Sequence, residues 1–274
     1  MIYPLKQRVI RRSSAIAFNI WKIGLHIQQH EALAVAVVRD ASGWFLQRWW
    51  RMPLAPQVIV DGHIREPEQL VATLLPWSRE LPRRHHIYLS FPANRTLQKK
   101  FPRPAMTLRE PEQTAWLSGL MACELDMSQD ALHFDYSEDT LSPAFNVTAA
   151  QSKEISTLLT LIQALKVQVK AITPDASALQ RFIPYLPEHQ QCLVWRDETQ
   201  WLWATRSSWG RKLTGDIGRL DELAATLSLS PTAIALCDPS GFDPLNVVSV
   251  RQPPIPPHSH RFTIALGLAM GGSY

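Results

Sequence analysis

The sequence predicts an α/β fold in which short strands alternate with amphipathic helices. Between residues 152 and 165, apolar residues such as Ile155, Leu158 and Ile162 recur with helical spacing. Strand-like alternation of apolar and polar residues follows at 167–171, and Asp175 then opens a further helix. Strand, helix, strand and helix in this order favour a βαβ unit and a mainly parallel sheet.

The first ninety residues are predicted to form four strands and one helix. The strands are expected at 17–27, 32–39, 43–50 and 86–90, with turns at Ser42-Gly43 and Asp61-Gly62. Pro67 occupies a favourable first-turn position for a helix that ends near residue 75. This segment should therefore supply most of the first sheet.

Residues 91–150 differ in composition from the preceding segment and are interpreted as a small inserted subdomain. Prolines occur at positions 92, 102, 104 and 111, and a helix is predicted at 111–125. The clearest helix follows at 152–165, where Ser152 is expected to be the N-cap and Glu154 lies in the first turn. The chain then returns to the first domain with a strand at 167–171 and a helix at 175–182.

The second half repeats the opening of the first in reduced form. A hairpin is predicted at 192–195 and 201–206, a helix at 221–227, and short strands at 233–237 and 247–250. A proline-rich connection at 253–257 leads to a last helix at 262–270. The pattern indicates a second, smaller α/β domain.

Composition excludes several classes of protein. Apolar residues make up 46% and charged residues 19%, as in a globular chain, and no apolar run approaches the roughly 18 residues of a membrane span. Residues 1–15 contain four basic residues and no acid, and are interpreted as a disordered leader or as sequence upstream of the natural start. Without those four, 24 of the 28 basic residues remain against 24 acids. A near-neutral body makes nucleic acid an improbable partner.

Three sparse cysteines, Cys123, Cys192 and Cys237, form no CxxC pair and are expected to be buried free thiols in a reducing compartment. The pairs His85-His86 and His258-x-His260 lack the three or four convergent ligands that zinc requires, so no metal is expected. No P-loop, GxSxG, HExxH or GxGxxG motif occurs. Catalysis is therefore not expected.

The aromatic pair Trp49 and Trp50 lies between Arg48 and Arg51. Adjacent strand residues face opposite ways, so one of the two indoles can lie outside the core. Three interpretations are open: one ring lies in the core and the other is covered by the inserted subdomain, one belongs to a protein interface, or the run stacks on single-stranded DNA.

Four short motifs, in order and with matching spacers, resemble the PilM/HofM family of type IV pilus assembly and DNA utilization, whose members are actin-like and FtsA-like. The motifs are KIGL at 22–25, VDGHI at 60–64, ITPDASAL at 172–179 and ALGLA at 265–269. The resemblance runs from about residue 18 to the end of the chain. It implies a two-domain actin-like fold with an inserted subdomain and a reduced second domain. The first domain would comprise residues 16–90 and 151–183, the inserted subdomain residues 91–150, and the second domain residues 184–274.

The resemblance also implies a nucleotide cleft between the domains, which the residues of this chain do not support. The family's first phosphate loop has an acid and a glycine where this chain has His26 and Gln28. In the second phosphate hairpin, Trp195 stands at the acid position and Asp197 at the glycine position. The cleft positions, none of them expected to hold a cofactor, are Gly24, His26, Gln28, Asp175, Trp195, Asp197, Gly241 and Gly267. The position of Asp175 remains acidic in this chain, but an aspartate there would also be an ordinary helix N-cap.

The resemblance therefore implies a cytoplasmic adaptor at the inner-membrane face, with a degenerate nucleotide cleft. It is also compatible with self-association of the protein. Its partner would be a bitopic PilN/HofN-like protein, bound through a short cytoplasmic N-terminal peptide in a groove beside the inserted subdomain. The expected partner-binding residues are Leu89, Phe91, Arg103, Trp116, Trp49 and Trp50. The alternatives are an ATPase that binds Mg-ATP and, less favoured, a DNA-binding protein.

Overall fold

The computed structural model describes residues 20–139, 141–251 and 254–271, so the basic segment 1–15 and the start of the first predicted strand lie outside the described residues. The strands are β1 (Trp21–Ile27), β2 (Glu31–Asp40), β3 (Gly43–Pro53), β4 (Ile59–Val60), β5 (His63–Ile64), β6 (His85–Phe91), β7 (Thr96–Pro102), β8 (Leu132–Glu138), β9 (Ala144–Gln151), β10 (Val169–Pro174), β11 (Cys192–Arg196), β12 (Gln200–Thr205), β13 (Trp209–Leu213), β14 (Ile234–Cys237) and β15 (Val250–Arg251). The α-helices are α1 (Pro67–Arg79), α2 (Glu110–Leu125), α3 (Ser152–Leu165), α4 (Asp175–Ala178), α5 (Leu220–Thr226) and α6 (Thr263–Met270). Short 3₁₀ helices lie at Ala93–Arg95, Gln129–Ala131, Leu179–Tyr185, Pro231–Ala233, Pro244–Val247 and Ser259–Phe262.

The first sheet has six strands in the order β10-β6-β1-β2-β3-β15. The pairs β10 with β6, β6 with β1 and β15 with β3 are parallel, whereas β1 with β2 and β2 with β3 are antiparallel. Three of the five strand pairs are thus parallel, as expected, and the sheet is mixed because β1, β2 and β3 are joined as consecutive hairpins. Short turns after Ile27 and Asp40 join consecutive strands, and such connections force antiparallel pairing.

Helices cover both faces of this sheet. α1 and α3 pack with Ile23, Leu25 and Ile87 on one face, while α6 packs with Leu33 and Val35 on the other. A strand covered on both sides reads as a continuous apolar run, which explains the sequence of β2. The predicted helix at 152–165 is confirmed as α3, but Gln151 is its N-cap residue. The hydroxyl of Ser152 instead donates to the carbonyl oxygen of Asp130 at 2.8 Å.

The inserted segment has a core of its own. Strands β7, β9 and β8 form an antiparallel sheet in that order. Leu117 and Met121 of α2 pack against Phe145, Val147 and neighbouring residues of this sheet. The insert therefore forms a compact unit between β6 and α3.

The second sheet has the order β13-β12-β11-β14, with α5 on one face. Leu193, Trp195 and Leu202 point from its other face into the cluster that also contains α6 and the first sheet. The two sheets thus share one continuous apolar core. This shared core fixes the position of β11 relative to β1.

The last two described elements, β15 and α6, do not pack only within the second domain, as the predicted division at residue 184 implies. β15 pairs with β3, and α6 covers β1, so both return to the first sheet. The predicted strand at 247–250 is also wrong over most of its length. A 3₁₀ helix occupies Pro244–Val247, because the carboxylate of Asp243 accepts the amide of Leu245 at 2.9 Å and caps that turn.

Candidate functional site

His26 and Trp195, which the resemblance places at the acid positions of the two phosphate loops, are in contact between the first and second sheets. The rings of His26, at the end of β1, and Trp195, on β11, lie 5.6 Å apart in an edge-to-face arrangement. Each residue is only 3% exposed. Two buried ring side chains are therefore in contact between the two loops that the family resemblance assigns to phosphate.

The surroundings of this ring pair fix it in a neutral form. Burial lowers the pKa of His26 to about 3, so the imidazole is uncharged at neutral pH. The amide nitrogen of Gln28 lies 3.2 Å from His26 Nδ1, and the Trp195 indole donates to the carbonyl oxygen of His260 at 3.0 Å. A neutral, hydrogen-bonded aromatic contact offers no cation to an incoming phosphate.

Asp197 and Gly241 shape turns. Asp197 Oδ1 accepts the amides of Thr199 at 2.7 Å and Gln200 at 2.8 Å, which closes the hairpin between β11 and β12. A Cβ atom at Gly241 would lie 2.2 Å from the carbonyl oxygen of Leu236, so this turn requires glycine. Both residues have a local structural role that accounts for their presence.

Asp175 is not the N-cap that the sequence suggested. Pro174 occupies the N-cap position of α4, and Asp175 Oδ1 accepts the amides of Ala93 at 2.9 Å and Ala176 at 2.7 Å. Burial raises the pKa of this carboxyl to about 7, and nearby Asp197 adds to that rise. The side chain joins the end of β6 to the start of α4.

Gly24 and Gly267 allow close helix packing. A Cβ atom at Gly24 would lie 1.8 Å from the carbonyl oxygen of Ala265 in α6. One at Gly267 would lie 2.5 Å from the carbonyl oxygen of Ala178 in α4. These glycines thus bring the three elements together whether or not a ligand binds.

Sequence reasoning missed a buried carboxylate beside the first loop. Glu31, 3% exposed, receives hydrogen bonds from Arg51 on β3 and Arg261 before α6, both at 2.5 Å. Arg261 is 230 residues away in the chain, so no local pattern could indicate the pairing. This arrangement fastens the C-terminal segment to the loop between β1 and β2.

An open groove lies on the other side of the first sheet, where that sheet meets the inserted subdomain. It is lined by the ends of β1, β6 and β9, by β5 and by the first turns of α3, and has a volume of about 350 Å³. Its apolar lining comes from Ile27, Ile59, Ile64, Phe91 and Leu158. A shallower groove between α1 and α3 adjoins it at Lys153 and Thr157.

One wall of this groove carries charges. Glu154 Oε1 accepts from Arg95 Nε at 2.9 Å and Nη2 at 2.5 Å, and His63 Nδ1 lies 3.1 Å away. Glu154 Oε2 is buried, and no residue in the described part of the chain forms a hydrogen bond with it. Arg65 and Lys153 also line the groove, and neither forms an ion pair within the described parts of the chain.

The structure does not bring the four predicted groove residues together. Phe91 lines the groove, but Leu89 is fully buried beneath α1 and α3, because it lies in the middle of the central strand β6. Arg103 pairs with Glu138 at 2.7 Å and stacks on the ring of Phe145, and Trp116 packs on the same ring. Arg103 and Trp116 therefore belong to the packing of the insert.

The Trp49-Trp50 pair is engaged within the chain. Trp49 donates its indole N–H to the carbonyl oxygen of Pro254 at 2.7 Å and packs edge-to-face on Phe262. Trp50 is 8% exposed, packs on Trp77, and donates to Glu80 at 2.9 Å. The adjacent arginines pair with Glu80 and Glu31. Trp49 is therefore contacted by the segment that contains Pro254 and Phe262, not by the inserted subdomain as expected, and Trp50 is too buried to stack on bases.

Other candidate chemistry is not assembled. Burial raises the pKa values of the Cys192 and Cys237 thiols to about 12, whereas Cys123 is exposed, contrary to expectation. Over residues 20–139, 141–251 and 254–271, no three His, Cys, Asp or Glu side chains are grouped to hold a metal. Among the helices of these same stretches, none has the length and apolar character needed to cross a bilayer.

Comparison with known proteins gives three relevant similarities, although no protein-family model matches the chain. The chain is 66% identical over 259 residues to the DNA utilization protein HofM of Escherichia coli (strain K12), covering 94% of this chain and 100% of that protein. Its structure is similar to a chain of the PilM–PilN type IV pilus biogenesis complex, with a TM-score of 0.64, 11% identity, and coverage of 90% of this chain and 97% of that one. It is also similar to the cytoplasmic domain of EpsL, an inner membrane component of the type II secretion system of Vibrio cholerae, with a TM-score of 0.57, 13% identity, and coverage of 92% and 95%. The expected actin-like fold is confirmed.

Proposed function

The chain belongs to the HofM family, and from this premise we propose that it is a non-enzymatic adaptor of a type IV pilus-like or DNA-uptake assembly. In this role it would lie at the cytoplasmic face of the inner membrane. It would hold the N-terminal cytoplasmic peptide of a bitopic PilN/HofN-like partner.

The similar proteins share one cellular setting. One relative is named for DNA utilization, one similar structure is a pilus biogenesis complex of PilM with PilN, and one is the cytoplasmic part of an inner membrane component. The proposal extends this shared setting to the present chain.

The groove is the observation that carries the adaptor role. It lies between the first sheet and the end of β9, which is where the family resemblance implies peptide capture. Its apolar lining can take alternate side chains of an extended peptide, and its charged wall can meet the peptide's polar groups. A volume of about 350 Å³ suits a few side chains of such a segment.

The filled cleft supports a role without nucleotide hydrolysis. A phosphate needs backbone amides or cations aimed at it, and an ordered Mg²⁺ needs an oxygen ligand. His26 and Trp195 instead present two neutral rings to each other, and Asp197 uses its carboxylate within its own turn. This chemistry favours the adaptor over the ATPase alternative.

The test is a calorimetric titration of the full chain, at 0.15 M salt, with a synthetic peptide of the partner's N-terminal cytoplasmic segment. We expect saturable one-to-one binding. Ile64→Glu places a charge in the groove and should weaken binding at least about 10-fold, because the carboxylate would be desolvated by a bound apolar side chain. Leu159→Glu is the matched control, since Leu159 is an exposed α3 residue outside the groove lining.

Thermal melting of both variants establishes that they are folded. No binding by the wild-type chain would refute the proposed function. Equal weakening by the groove variant and the control variant would move the docking site elsewhere on the surface.

A further inference from the structure

We infer that Glu154 is a specificity-determining residue of the groove and accepts a hydrogen bond from an uncharged N–H group of the bound segment. This inference rests on the proposed function, because it describes how the same groove distinguishes one peptide from another. It names the chemistry of the recognised group: an amide N–H, from either the main chain or a side chain.

The first observation is the unequal use of the two carboxylate oxygens. Glu154 Oε1 accepts hydrogen bonds from Arg95 Nε and Nη2 and lies 3.1 Å from His63 Nδ1. Glu154 Oε2 is buried and has no hydrogen-bond partner among the residues that the structure describes. A buried acceptor without a donor is rare in folded proteins, because its desolvation is not compensated.

The second observation is the position of this carboxylate. Glu154 lines the groove from the first turn of α3, and its side chain is 17% exposed. The terminal torsion of a glutamate is broad, so a modest rotation can turn Oε2 toward a group that enters the groove. An N–H donor that arrives there would complete the hydrogen bonding of the side chain.

The third observation concerns charge and determines which kind of donor fits. Arg95 already compensates the negative charge of Glu154 through two hydrogen bonds. Arg65 and Lys153 line the same groove without an ion pair in the described portions of the chain. Arg65 and Lys153 would repel a lysine or arginine of the partner, whereas an uncharged amide N–H would not be repelled.

The experiment is a double-mutant cycle measured by calorimetry, with Glu154→Gln in the full chain and a series of changes in the partner peptide. Each main-chain N–H of the peptide is methylated in turn, and each amide side chain is replaced by an apolar one of similar size. Glu124→Gln is the matched control, because Glu124 also pairs with a basic side chain, Lys99 at 2.6 Å, but lies outside the groove lining.

We expect Glu154→Gln to weaken binding of the unmodified peptide about 10- to 100-fold, because its amide nitrogen would oppose the incoming N–H. One peptide change should cost about 10-fold with the wild-type protein and less than about 2-fold with Glu154→Gln. The Glu124→Gln protein should bind every peptide as the wild type does. The peptide series with the unaltered protein identifies the N–H group that is recognised, and thermal melting of Glu154→Gln establishes that the variant used to assign the acceptor is folded.

The outcomes separate the two levels of the argument. If the wild-type protein fails to bind the peptide, the proposed function is wrong, and this inference falls with it. If the wild type binds and Glu154→Gln binds equally well, the inference alone is overturned. Coupling of Glu154 to a lysine or arginine of the peptide would also overturn it, since the recognised donor would then be a cation.

Discussion

The buried carboxyl of Asp175 and the buried imidazole of His26 lead to opposite predictions for the pH dependence of stability. The pKa of Asp175 is raised from 3.8 to about 7, so between those pH values the folded protein binds a proton that the unfolded chain releases. The stability from this group is complete below about pH 4 and is lost as the pH rises to about 7.

His26 acts in the other direction. Its pKa is lowered from 6.5 to about 3, so between those values the unfolded chain binds a proton that the folded protein excludes. Its contribution is present above pH 6.5 and is lost as the pH falls toward 3. Each contribution changes by about 1.4 kcal/mol per pH unit, and the two nearly cancel between about pH 4 and 6.5.

Asp175→Asn should remove one of these contributions and expose the other. Asparagine keeps an oxygen that can accept the amide of Ala93, but it has no proton to lose. Between pH 5 and about 7 the folded wild-type carboxyl retains a proton that the unfolded chain has released, so wild type loses about 3 kcal/mol of stability over this interval. The free energy of unfolding of the variant should therefore rise by about 3 kcal/mol relative to wild type between pH 5 and pH 8.

The assay is urea unfolding followed by tryptophan fluorescence at pH 5, 6, 7 and 8. His26→Leu is the complementary variant and should gain about 2 kcal/mol relative to wild type as the pH falls from 6.5 to 5. The double variant should differ from wild type by a nearly constant free energy of unfolding between pH 5 and 6.5, because the two gains run in opposite directions. A constant difference between Asp175→Asn and wild type at all four pH values would refute the reasoning, because it would mean that the carboxyl titrates normally.

Further predictions concern packing, the cleft and the insert. Gly24→Ala should destabilise the protein by at least about 3 kcal/mol in urea unfolding, because its Cβ would overlap the backbone of α6; Gly119→Ala, which meets nothing closer than 3.7 Å, should not destabilise it. Mg-ATP should leave the melting temperature unchanged, and a concentration-dependent rise would revive the ATPase alternative. Arg261→Ala should cost about 1–3 kcal/mol of unfolding free energy, because Glu31 stays buried with one partner fewer. Arg103→Gln should change peptide affinity by less than about 2-fold in calorimetry, since its guanidinium pairs within the insert, and a larger loss would extend the groove to that site.

Local patterns predicted most strands and helices correctly where one covered face or a tight turn determines the structure. The continuous apolar run from Ala32 to Val38 indicates a strand buried on both sides, and the structure has it as β2 between two helix layers. The helix at α3 followed from apolar spacing alone. Such features depend on neighbours within a few residues, and a single sequence contains them.

The site could be predicted only in part, because its contacts join distant segments. The substitution of acids by His26 and Trp195 is visible in the sequence, but their contact depends on the shared core of two sheets. Leu89 was expected in the groove because it is apolar and near the insert, and only the register of β6 shows that it faces the core. Glu154 looked like a helix-terminal charge, and its unpaired oxygen becomes apparent only in three dimensions.

The return of the chain to its first sheet has a consequence for synthesis on the ribosome. Leu33, Val35 and Val37 are made early, but α6, which covers their face of the sheet, is among the last described segments to be made. During translation this apolar surface stays uncovered for most of the time that the chain is growing. The first sheet therefore cannot be fully covered before the second sheet has been synthesised. A nascent chain would need protection from aggregation until α6 emerges from the ribosome.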